Sequence, residues 1–252
     1  MSKISVVIIT LNEELCIGRA IESASQIAEE IIIVDSGSTD KTLEIIKSYD
    51  IVKVFHNNFI DFSSQKNFAI SKASCEWIFV LDADEYFDKN LENQLKSKLF
   101  KNEKIYASIR KNWFMDGWLS ESFGKDMQHR LFERKKENIY QNKVHERLKS
   151  IGNLEIIELE GCILHEQKRL SINNIISKQI KYTDYDIMGK YKNASLFLLL
   201  SKSFFKLINT LILKRIVFKG KRNILWAFVI FSYDLLLVMK KIEIDINNKG
   251  KS

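Results

Sequence analysis

The sequence of 252 residues has no proline, only nine glycines and only three cysteines. Cys16, Cys75 and Cys162 are widely spaced and form no CxxC pair, which argues against a disulfide framework or a cysteine-built metal site. Such cysteine usage is typical of a reducing cytoplasm. No HExxH motif or paired His/Cys spacing indicates zinc. The missing proline accompanies abundant isoleucine, lysine and asparagine, so we interpret it as compositional drift and draw no function from it.

The sequence predicts no secretory signal, and it shows no internal repeats or low-complexity linkers. Its first residues lead directly into the strand-like run Ser5–Thr10, without a charged start, a longer apolar core and a cleavage site. Hydrophobic residues make up 46% and charged residues 28%, which is ordinary globular usage and argues against disorder, collagen and coiled coil. The length predicts one or two domains with a sizeable core.

Charge is concentrated at the carboxyl end of the chain. From Lys190 to the last residue there are 13 basic and three acidic residues, whereas the rest of the chain is mildly acidic. This asymmetry indicates an anionic partner for the end of the chain, either a membrane or a nucleic acid.

The first third of the sequence alternates between strand-like and helical patterns. Short β-branched runs occur at Ser5–Thr10, Ile31–Val34, Ile51–Phe55 and Trp77–Leu81, and the stretches between them carry apolar residues at spacings of three and four. Continuous apolar strands joined by helices predict a parallel sheet covered on both faces. The expected fold class is therefore α/β, with a doubly wound, mostly parallel sheet. Beyond Glu85 the pattern loosens, and a long irregular segment around Trp113 and Trp118 is typical of a specificity loop.

The final third changes character at about Ser171. A helical pattern is followed by two apolar blocks, Ala194–Leu213 and Ile224–Met239, with a basic run between them. The first block contains lysines, and the second has only sixteen residues and contains Asp234, so neither fits a membrane span of about twenty apolar residues. We expect amphipathic helices that lie on a membrane or pack on the protein. The predicted domains are residues 1–170 and a basic, membrane-associating helical extension, 171–252.

Polar residues follow each predicted strand, where ligands bind in doubly wound sheets. Acidic groups follow three of the four strands, at Glu13, Asp35 and Asp82, and such crowding is destabilising unless a cation or ligand compensates it. Asp82-Ala-Asp84, directly after a buried strand, can supply oxygen ligands to a hard cation such as Mn²⁺ or Mg²⁺, with phosphate oxygens completing the site. The alternative is an exposed Asp-rich turn, which the position behind an apolar strand disfavours.

Together, Ser5–Glu14, Ile32–Thr42 and Leu81–Glu85 resemble family 2 glycosyltransferases of the GT-A fold. Further motifs are similar to the bacterial lipopolysaccharide-core β-glucosyltransferase branch: Gln128–Phe132, Val144–Glu146, Ile163–His165 and Tyr182-Thr183. The usual Asp-Asp-Gly-Ser element reads Asp-Ser-Gly-Ser from Asp35 onward, which keeps the leading aspartate.

The resemblance implies a nucleotide-activated sugar donor and assigns residues to it. Asp35 would contact the base, Asp82 the ribose or a metal-bound water, and Asp84 the metal. The floor of the base pocket would consist of Thr10, Asn12 and Glu13. Lys66 stands where the family often has a basic residue near the nucleotide, and a solvated helix lysine is the alternative.

The remaining group is a general base, which takes the proton of the acceptor hydroxyl in an inverting transfer. The resemblance favours Glu146; Asp116 is the competitor, and a surface ion pair is the other interpretation of Glu146. His165 ends a strand-like run and could return to the metal or pyrophosphate, although a lone histidine is also commonly structural. His129 and Arg130 could face the diphosphate or acceptor.

The sequence therefore predicts a metal-dependent, inverting glycosyltransferase on the inner face of the cytoplasmic membrane. Its donor would be a nucleotide-diphosphate sugar, most simply a UDP-sugar, and its acceptor an envelope glycan or lipid-linked saccharide; no nucleic acid partner is expected. A sugar-nucleotide nucleotidyltransferase requires a glycine- and arginine-rich loop after the first strand. Thr10–Glu14 contains neither glycine nor arginine. An inactive remnant that binds membranes or nucleic acid is the non-enzymatic alternative.

Overall fold

The computed structural model describes residues 2–135, 139–141, 147–149, 154–166, 171–189, 191 and 194–249. The chain divides into two compact units. The sheet unit comprises Met1–Asn112 and Lys125–Lys168, and the helical unit comprises Trp113–Gly124 and Arg169–Ser252. Nothing in the sequence marked the short segment Trp113–Gly124 as a partner of the carboxyl-terminal helices. The predicted domain boundary at residue 171 stays a prediction.

The strands are β1 (Ile4–Thr10), β2 (Glu30–Asp35), β3 (Val52–His56), β4 (Trp77–Asp82), β5 (Glu85–Phe87), β6 (Lys104–Phe114), β7 (Gly117–Trp118), β8 (Asp126–Glu133), β9 (Ile139–Gln141), β10 (Arg147–Lys149) and β11 (Glu155–His165). The helices are α1 (Ile17–Ser25), α2 (Thr42–Ile46), α3 (Phe62–Lys72), α4 (Lys89–Ser97), α5 (Ile172–Met188), α6 (Leu196–Ile208) and α7 (Lys221–Lys249).

The main sheet runs in the order β3-β2-β1-β4-β8-β6-β11-β5. The first four strands are parallel, as the sequence predicted, and β8 joins β4 in the antiparallel direction. Alternate residues of β1 enter opposite cores: Val6 and Ile8 pack with α1, whereas Val7 packs with Ala69 of α3. The expected sheet, apolar on both faces, is thereby confirmed.

Helix α3 begins directly after Asp61, whose carboxylate accepts a hydrogen bond from the Ser64 amide at 2.7 Å. In front of α2, the side chain that accepts is one residue before the N-cap position, Lys41. Here Asp40 Oδ1 accepts from the amide of Thr42, the first helical residue, at 3.0 Å. Both acceptors fix the direction in which a helix leaves the carboxyl end of its strand.

In the helical unit, α7 runs for 29 residues. The expectation that the second apolar block is too short for a span is therefore wrong, because the helix extends beyond Ile224–Met239 in both directions. By length and composition, Leu196–Leu213 and Lys221–Asn247 could each cross a membrane. Core helices of soluble proteins meet the same criterion.

Candidate active site

The carboxyl ends of β1, β2 and β4 form one edge of the sheet. Thr10 lies opposite Asp35 across β1 and β2, and Ile9 lies opposite Asp82 across β1 and β4. The register thus brings three predicted site residues to neighbouring positions. Parallel strands place their carboxyl ends together, so this grouping follows directly from the topology.

The loops after β1 and β2 are joined by hydrogen bonds. The Asn12 amide donates to Ser38 Oγ at 2.9 Å, and Asn12 Oδ1 accepts from the Thr39 amide at 2.8 Å. The Glu13 amide donates to Thr42 Oγ1 at 2.8 Å. Asn12 adopts a left-handed backbone with φ 58°, which asparagine tolerates better than most residues. The two loops consequently form one surface.

Asp35 is buried, and its carboxylate organises the loop that follows it. Asp35 Oδ2 accepts from the amides of Gly37 at 2.8 Å and Ser38 at 3.0 Å. Gly37 has φ 101°, a conformation that a residue with a Cβ rarely adopts. Asp35, the leading aspartate of this motif, therefore stabilises its own loop, in addition to any contact with a ligand.

Thr10 is 4% exposed, and its buried Oγ1 has no hydrogen-bond partner among the residues that the structure describes. A buried hydroxyl left unpaired costs about 1–3 kcal/mol. This orphan oxygen lies at the sheet edge beside Asp35, where a bound polar ligand could supply the missing hydrogen bond.

Asp82 belongs to a buried network of charges. Its Oδ1 lies 3.0 Å from Lys66 Nζ, and its Oδ2 lies 2.7 Å from Arg130 Nη2. Arg130 Nη2 also lies 2.8 Å from Glu85 Oε1, and Glu85 is fully buried. Burial alone would raise the pKa of Asp82, but the charges of Arg130 and Lys66 outweigh it and hold that pKa well below its usual range.

This network compensates the negative charge of Asp82 and Glu85 at the sheet edge. For Asp82 and for its neighbour Glu85, the compensating cations are Lys66 and Arg130 of the fold itself. Lys66 is 2% exposed, so the solvated-lysine alternative is wrong. Arg130 is 4% exposed and binds two carboxylates of the site.

Asp84 turns toward a different partner. Its Oδ2 lies 3.1 Å from His165 Nε2, and its carbonyl oxygen accepts from the Glu166 amide at 3.1 Å. His165 reaches this place because β11 pairs with β5, with His165 opposite Glu85. Burial alone would lower the pKa of His165, but the Asp84 carboxylate outweighs it and raises the pKa.

The Asp84–His165 pair fits a divalent cation as a partial ligand set. Adjacent ligands of an octahedral ion, each about 2.1 Å from it, are separated by about 3 Å, which matches the observed 3.1 Å. Within the described residues, no group of three or more His, Cys, Asp or Glu side chains could hold a metal. Any cation here would therefore need further ligands, such as phosphate oxygens and water.

Three residues that the sequence analysis missed support this pair. Asn112 Oδ1 lies 2.7 Å from His165 Nδ1, Asn112 Nδ2 donates to Asp126 Oδ2 at 3.1 Å, and Arg110 Nε donates to the same oxygen at 2.8 Å. Arg110 and Asn112 stand two residues apart on β6 and so share a face. Polar residues at alternate positions of a strand were the available signal.

Glu146, the predicted base, and its neighbour His145 lie outside the described residues. The competitor, Asp116, belongs to the helical unit and lies 2.9 Å from Arg222 Nη1. In the same unit the Ser120 amide donates to Asn223 Oδ1 at 2.8 Å, so this segment is fastened to the start of α7.

Residues 5–150 match the sequence model of glycosyl transferase family 2. The chain belongs to this family. The match covers more than half of the chain and includes every predicted site residue except His165. A glycosyltransferase is a transferase, so the predicted enzyme class is confirmed at that level.

Curated relatives agree with the family. The lipopolysaccharide core biosynthesis glycosyltransferase LpsC of Rhizobium meliloti is 34% identical over 188 residues, which cover 71% of this chain and 68% of LpsC. The predicted resemblance to a lipopolysaccharide-core branch is thereby confirmed. An uncharacterized glycosyltransferase of Rickettsia bellii is 44% identical over 113 residues, which cover 45% of this chain and 36% of that protein.

Solved structures show the same fold. The mannosyltransferase PcManGT of Pyrobaculum calidifontis, in complex with GDP-Man and Mn²⁺, covers 96% of this chain and 87% of its own, with 15% identity and a TM-score of 0.60. S. aureus TarS, residues 1–349, in complex with UDP-GlcNAc, has 16% identity and a TM-score of 0.51 and covers 73% of this chain and 66% of its own. This family 2 glycosyltransferase therefore has the predicted GT-A fold.

Proposed function

We propose that this family 2 glycosyltransferase transfers a hexose, with inversion, from a nucleotide-diphosphate sugar to an envelope glycan or lipid-linked saccharide. The observation that carries the proposal is the sheet edge at which Thr10, Asp35 and Asp82 hold neighbouring register positions, with the Asp84–His165 pair two residues beyond Asp82. It combines the buried hydroxyl of Thr10, the buried carboxylate of Asp35 and a carboxylate–imidazole pair suited to a cation. The similarity to LpsC supports an acceptor in the lipopolysaccharide core.

The donor would lie along the joined loops after β1 and β2. Asp35 would meet the base, and Thr10, Asn12 and Glu13 would form the floor of its pocket. The neighbours solved with UDP-GlcNAc and GDP-Man support a nucleoside-diphosphate sugar. We favour a UDP-sugar. Lys66 would act through Asp82, because the two side chains form a buried ion pair beside this pocket.

Asp84 and His165 would hold Mn²⁺ or Mg²⁺ together with oxygens of the diphosphate. The ion would stabilise the negative charge of the departing nucleoside diphosphate. Asp82, whose oxygens face Lys66 and Arg130, would contact the ribose or a metal-bound water. The two aspartates of Asp82-Ala-Asp84 thus have separate tasks, one within the charge network and one toward the ion.

Glu146 would take the proton of the attacking acceptor hydroxyl. Asp116 is the weaker choice because its carboxylate is already engaged by Arg222, 2.9 Å away. Attack on the face opposite the leaving diphosphate gives inversion at the anomeric carbon.

The helical unit would bind the inner face of the cytoplasmic membrane as a peripheral attachment. Phe197, Phe205 and Phe218 are exposed, and Lys214, Arg215 and Lys219 lie in the exposed turn between α6 and α7. Exposed aromatic side chains beside lysines suit an anionic lipid interface. A polar pair within the helices, Lys206 Nζ to Asp234 Oδ2 at 2.8 Å, favours interfacial binding over a span.

Calorimetric titration with UDP, with and without Mn²⁺, tests the donor site, and a transfer assay tests the base. In Asp84→Asn we expect the metal-dependent binding of UDP to be lost because a charged ligand of the ion is removed. In Glu146→Gln we expect UDP binding to remain and transfer to fall by 10²-fold or more. Glu158→Gln, an exposed carboxylate on β11, is the matched control and should behave as wild type.

Metal-dependent UDP binding that survives in Asp84→Asn would remove the proposed metal site. Full transfer by Glu146→Gln would move the base elsewhere. If the wild-type chain bound no nucleoside diphosphate under either condition, the inactive, surface-binding alternative would replace the enzyme proposal.

A further inference from the structure

Gln65, on α3, is fully buried and holds its side-chain amide in one orientation. Its Nε2 donates to the Asn57 carbonyl oxygen at 2.9 Å, and its Oε1 accepts from Asn57 Nδ2 at 2.8 Å. A backbone carbonyl only accepts hydrogen bonds, so Nε2 must point toward it and the amide cannot be turned. The other hydrogen of Nε2 goes to Ser36 Oγ, 2.9 Å away. Gln65 therefore uses the Ser36 hydroxyl as an acceptor.

Ser36 follows β2 directly, at the carboxyl edge of the sheet. Its amide donates to the Thr10 carbonyl oxygen at 3.0 Å, one residue beyond the register pair of Thr10 and Asp35. Because Ser36 Oγ already accepts from Gln65, its own proton is left to be donated. The Ser36 side chain is partly exposed, and none of the residues that the structure describes accepts a hydrogen bond from it. This position thus presents a hydrogen-bond donor to a ligand.

The residue before Ser36 has the opposite polarity, because the Asp35 carboxylate only accepts hydrogen bonds. Consecutive residues at this edge therefore offer an acceptor and a donor. The edge of uracil is complementary to such a pair, with a donor at N3 and an acceptor at O4, and guanine has the same pattern at N1 and O6. Cytosine and adenine reverse it, with a ring-nitrogen acceptor beside an amino donor. The usual family element has an aspartate at position 36, which could not donate.

We propose that Ser36, kept as a hydrogen-bond donor by Gln65, is a specificity-determining residue for the base of the sugar nucleotide. Its hydroxyl donates to the base carbonyl, O4 of uracil or O6 of guanine, and disfavours an amino group at the same place. The inference rests on the proposed function, which lays the base at Asp35. It adds the group that distinguishes a keto base from an amino base.

UDP and CDP are the probes, because they differ only at the edge of the base that Ser36 is proposed to contact. Calorimetric titration with Mn²⁺ gives the affinity for each nucleotide, and the ratio of the two affinities is compared between variants. Ser36→Ala removes the hydroxyl, Ser36→Thr keeps one, and Gln65→Leu leaves the hydroxyl free to rotate. Ser71→Ala is the matched control, because it removes a hydroxyl on α3 that donates to the Phe68 carbonyl oxygen at 2.7 Å.

We expect the wild-type protein and Ser71→Ala to bind UDP about tenfold more tightly than CDP. In Ser36→Ala the affinity for UDP should fall about 3–10-fold, which is the loss of one neutral hydrogen bond. The affinity for CDP should stay or rise, because a donor no longer faces the amino group. Ser36→Thr should keep the preference for UDP. Gln65→Leu should reduce it, because a hydroxyl that rotates can also accept from cytosine.

A ratio of UDP to CDP affinity that is the same in Ser36→Ala as in the wild-type protein would overturn the inference, and so would equal wild-type affinities for the two nucleotides. An unchanged ratio in a folded Gln65→Leu protein would show that Gln65 does not set the polarity of the hydroxyl. If the wild-type protein bound purine nucleotides instead, IDP and ADP would make the same comparison. A folded wild-type protein that bound no nucleoside diphosphate would overturn the proposed function itself.

Discussion

The sheet unit and the helical unit differ in which side chains they bury and which they expose. In the sheet unit, Arg130 and Glu85 are buried and paired, and the apolar residues of β1, β2 and β4 are almost inaccessible. In the helical unit, Phe197 is 82% and Phe218 83% exposed. Buried charge requires exact partners and therefore indicates a rigid site, whereas exposed aromatic residues indicate contact with another phase or molecule.

The largest expected effect breaks the charge network of the sheet unit. Arg130→Met removes the cation shared by Asp82 and Glu85. The Glu85 carboxylate then keeps Arg110 Nη1, 3.1 Å away, and the Asp82 amide, which donates to Oε2 at 3.0 Å. Removing one partner of a buried ion pair costs about 3–5 kcal/mol. We expect the free energy of unfolding, measured by urea denaturation at neutral pH, to fall by about this amount.

Lys125→Met is the control for that experiment. Lys125 pairs with Glu158 on the surface of the same unit, at 3.3 Å, and both side chains are largely exposed. Exposed pairs contribute about 0–1 kcal/mol. If Arg130→Met cost no more than this control, the network would not be the rigid element that we describe.

The parallel half of the sheet could be predicted from the sequence because buried strands read as continuous apolar runs. The positions of Thr10, Asp35 and Asp82 followed, since carboxyl ends of parallel strands share an edge. The neutralisation of Asp82 could not be predicted, because its partners Lys66 and Arg130 come from other elements, α3 and β8. Long-range pairing of this kind leaves no periodic signal.

In the helical unit, the sequence predicted apolar segments but neither the full length of the last helix nor its partner segment. Its apolar blocks were visible, but the 29-residue length of α7 was not, because polar residues continue the helix beyond the apolar core of the pattern. The association of Trp113–Gly124 with this unit depends on contacts such as Phe114 with Trp226, whose ring centroids are 4.8 Å apart. No local pattern encodes such contacts.

A second prediction separates the exposed surface of the helical unit from its stability. In Phe205→Ser/Phe218→Ser we expect binding to anionic phosphatidylglycerol vesicles, measured by sedimentation, to fall about thirtyfold, since two interfacial aromatic residues are worth about 2 kcal/mol. The free energy of unfolding should hardly change, because both side chains are exposed. Binding by the wild-type protein should weaken with salt and with neutral lipid.

Leu99→Ser is the matched control, because Leu99 is 72% exposed but lies in the sheet unit. It should bind vesicles as the wild-type protein does. Equal loss in both variants would show that apolar exposure in general, and not this surface, drives binding. Self-association of the wild-type protein that disappears in the double variant, without vesicle binding, would replace the membrane with a second copy of the chain.

The smallest expected effect concerns the other end of the sheet, where Glu30 lies buried at the start of β2. Burial alone would raise its pKa, but hydrogen bonds from Lys53 and from serine residues outweigh it and lower the pKa of Glu30 from 4.5 to about 2. A lowered pKa stabilises the fold above pH 4.5, and this contribution is lost as the pH falls toward 2. Allowing for solvent screening, we expect about 1–2 kcal/mol.

Urea unfolding of the wild-type protein and Glu30→Gln at pH 6 and pH 3 isolates this contribution, because the other carboxylates titrate in both proteins. The wild-type protein should lose more stability than the variant between the two pH values. Glu29→Gln is the control, because the Glu29 carboxylate is next to Glu30 in sequence but pairs with Lys3 on the surface. This variant should lose as much stability as the wild-type protein. Equal acid sensitivity of Glu30→Gln and wild type would show that serine hydroxyls stabilise the neutral carboxyl as well as the charged one. The buried carboxylates at the two ends of the sheet would then differ in kind, because only the one at the candidate site would depend on its charge.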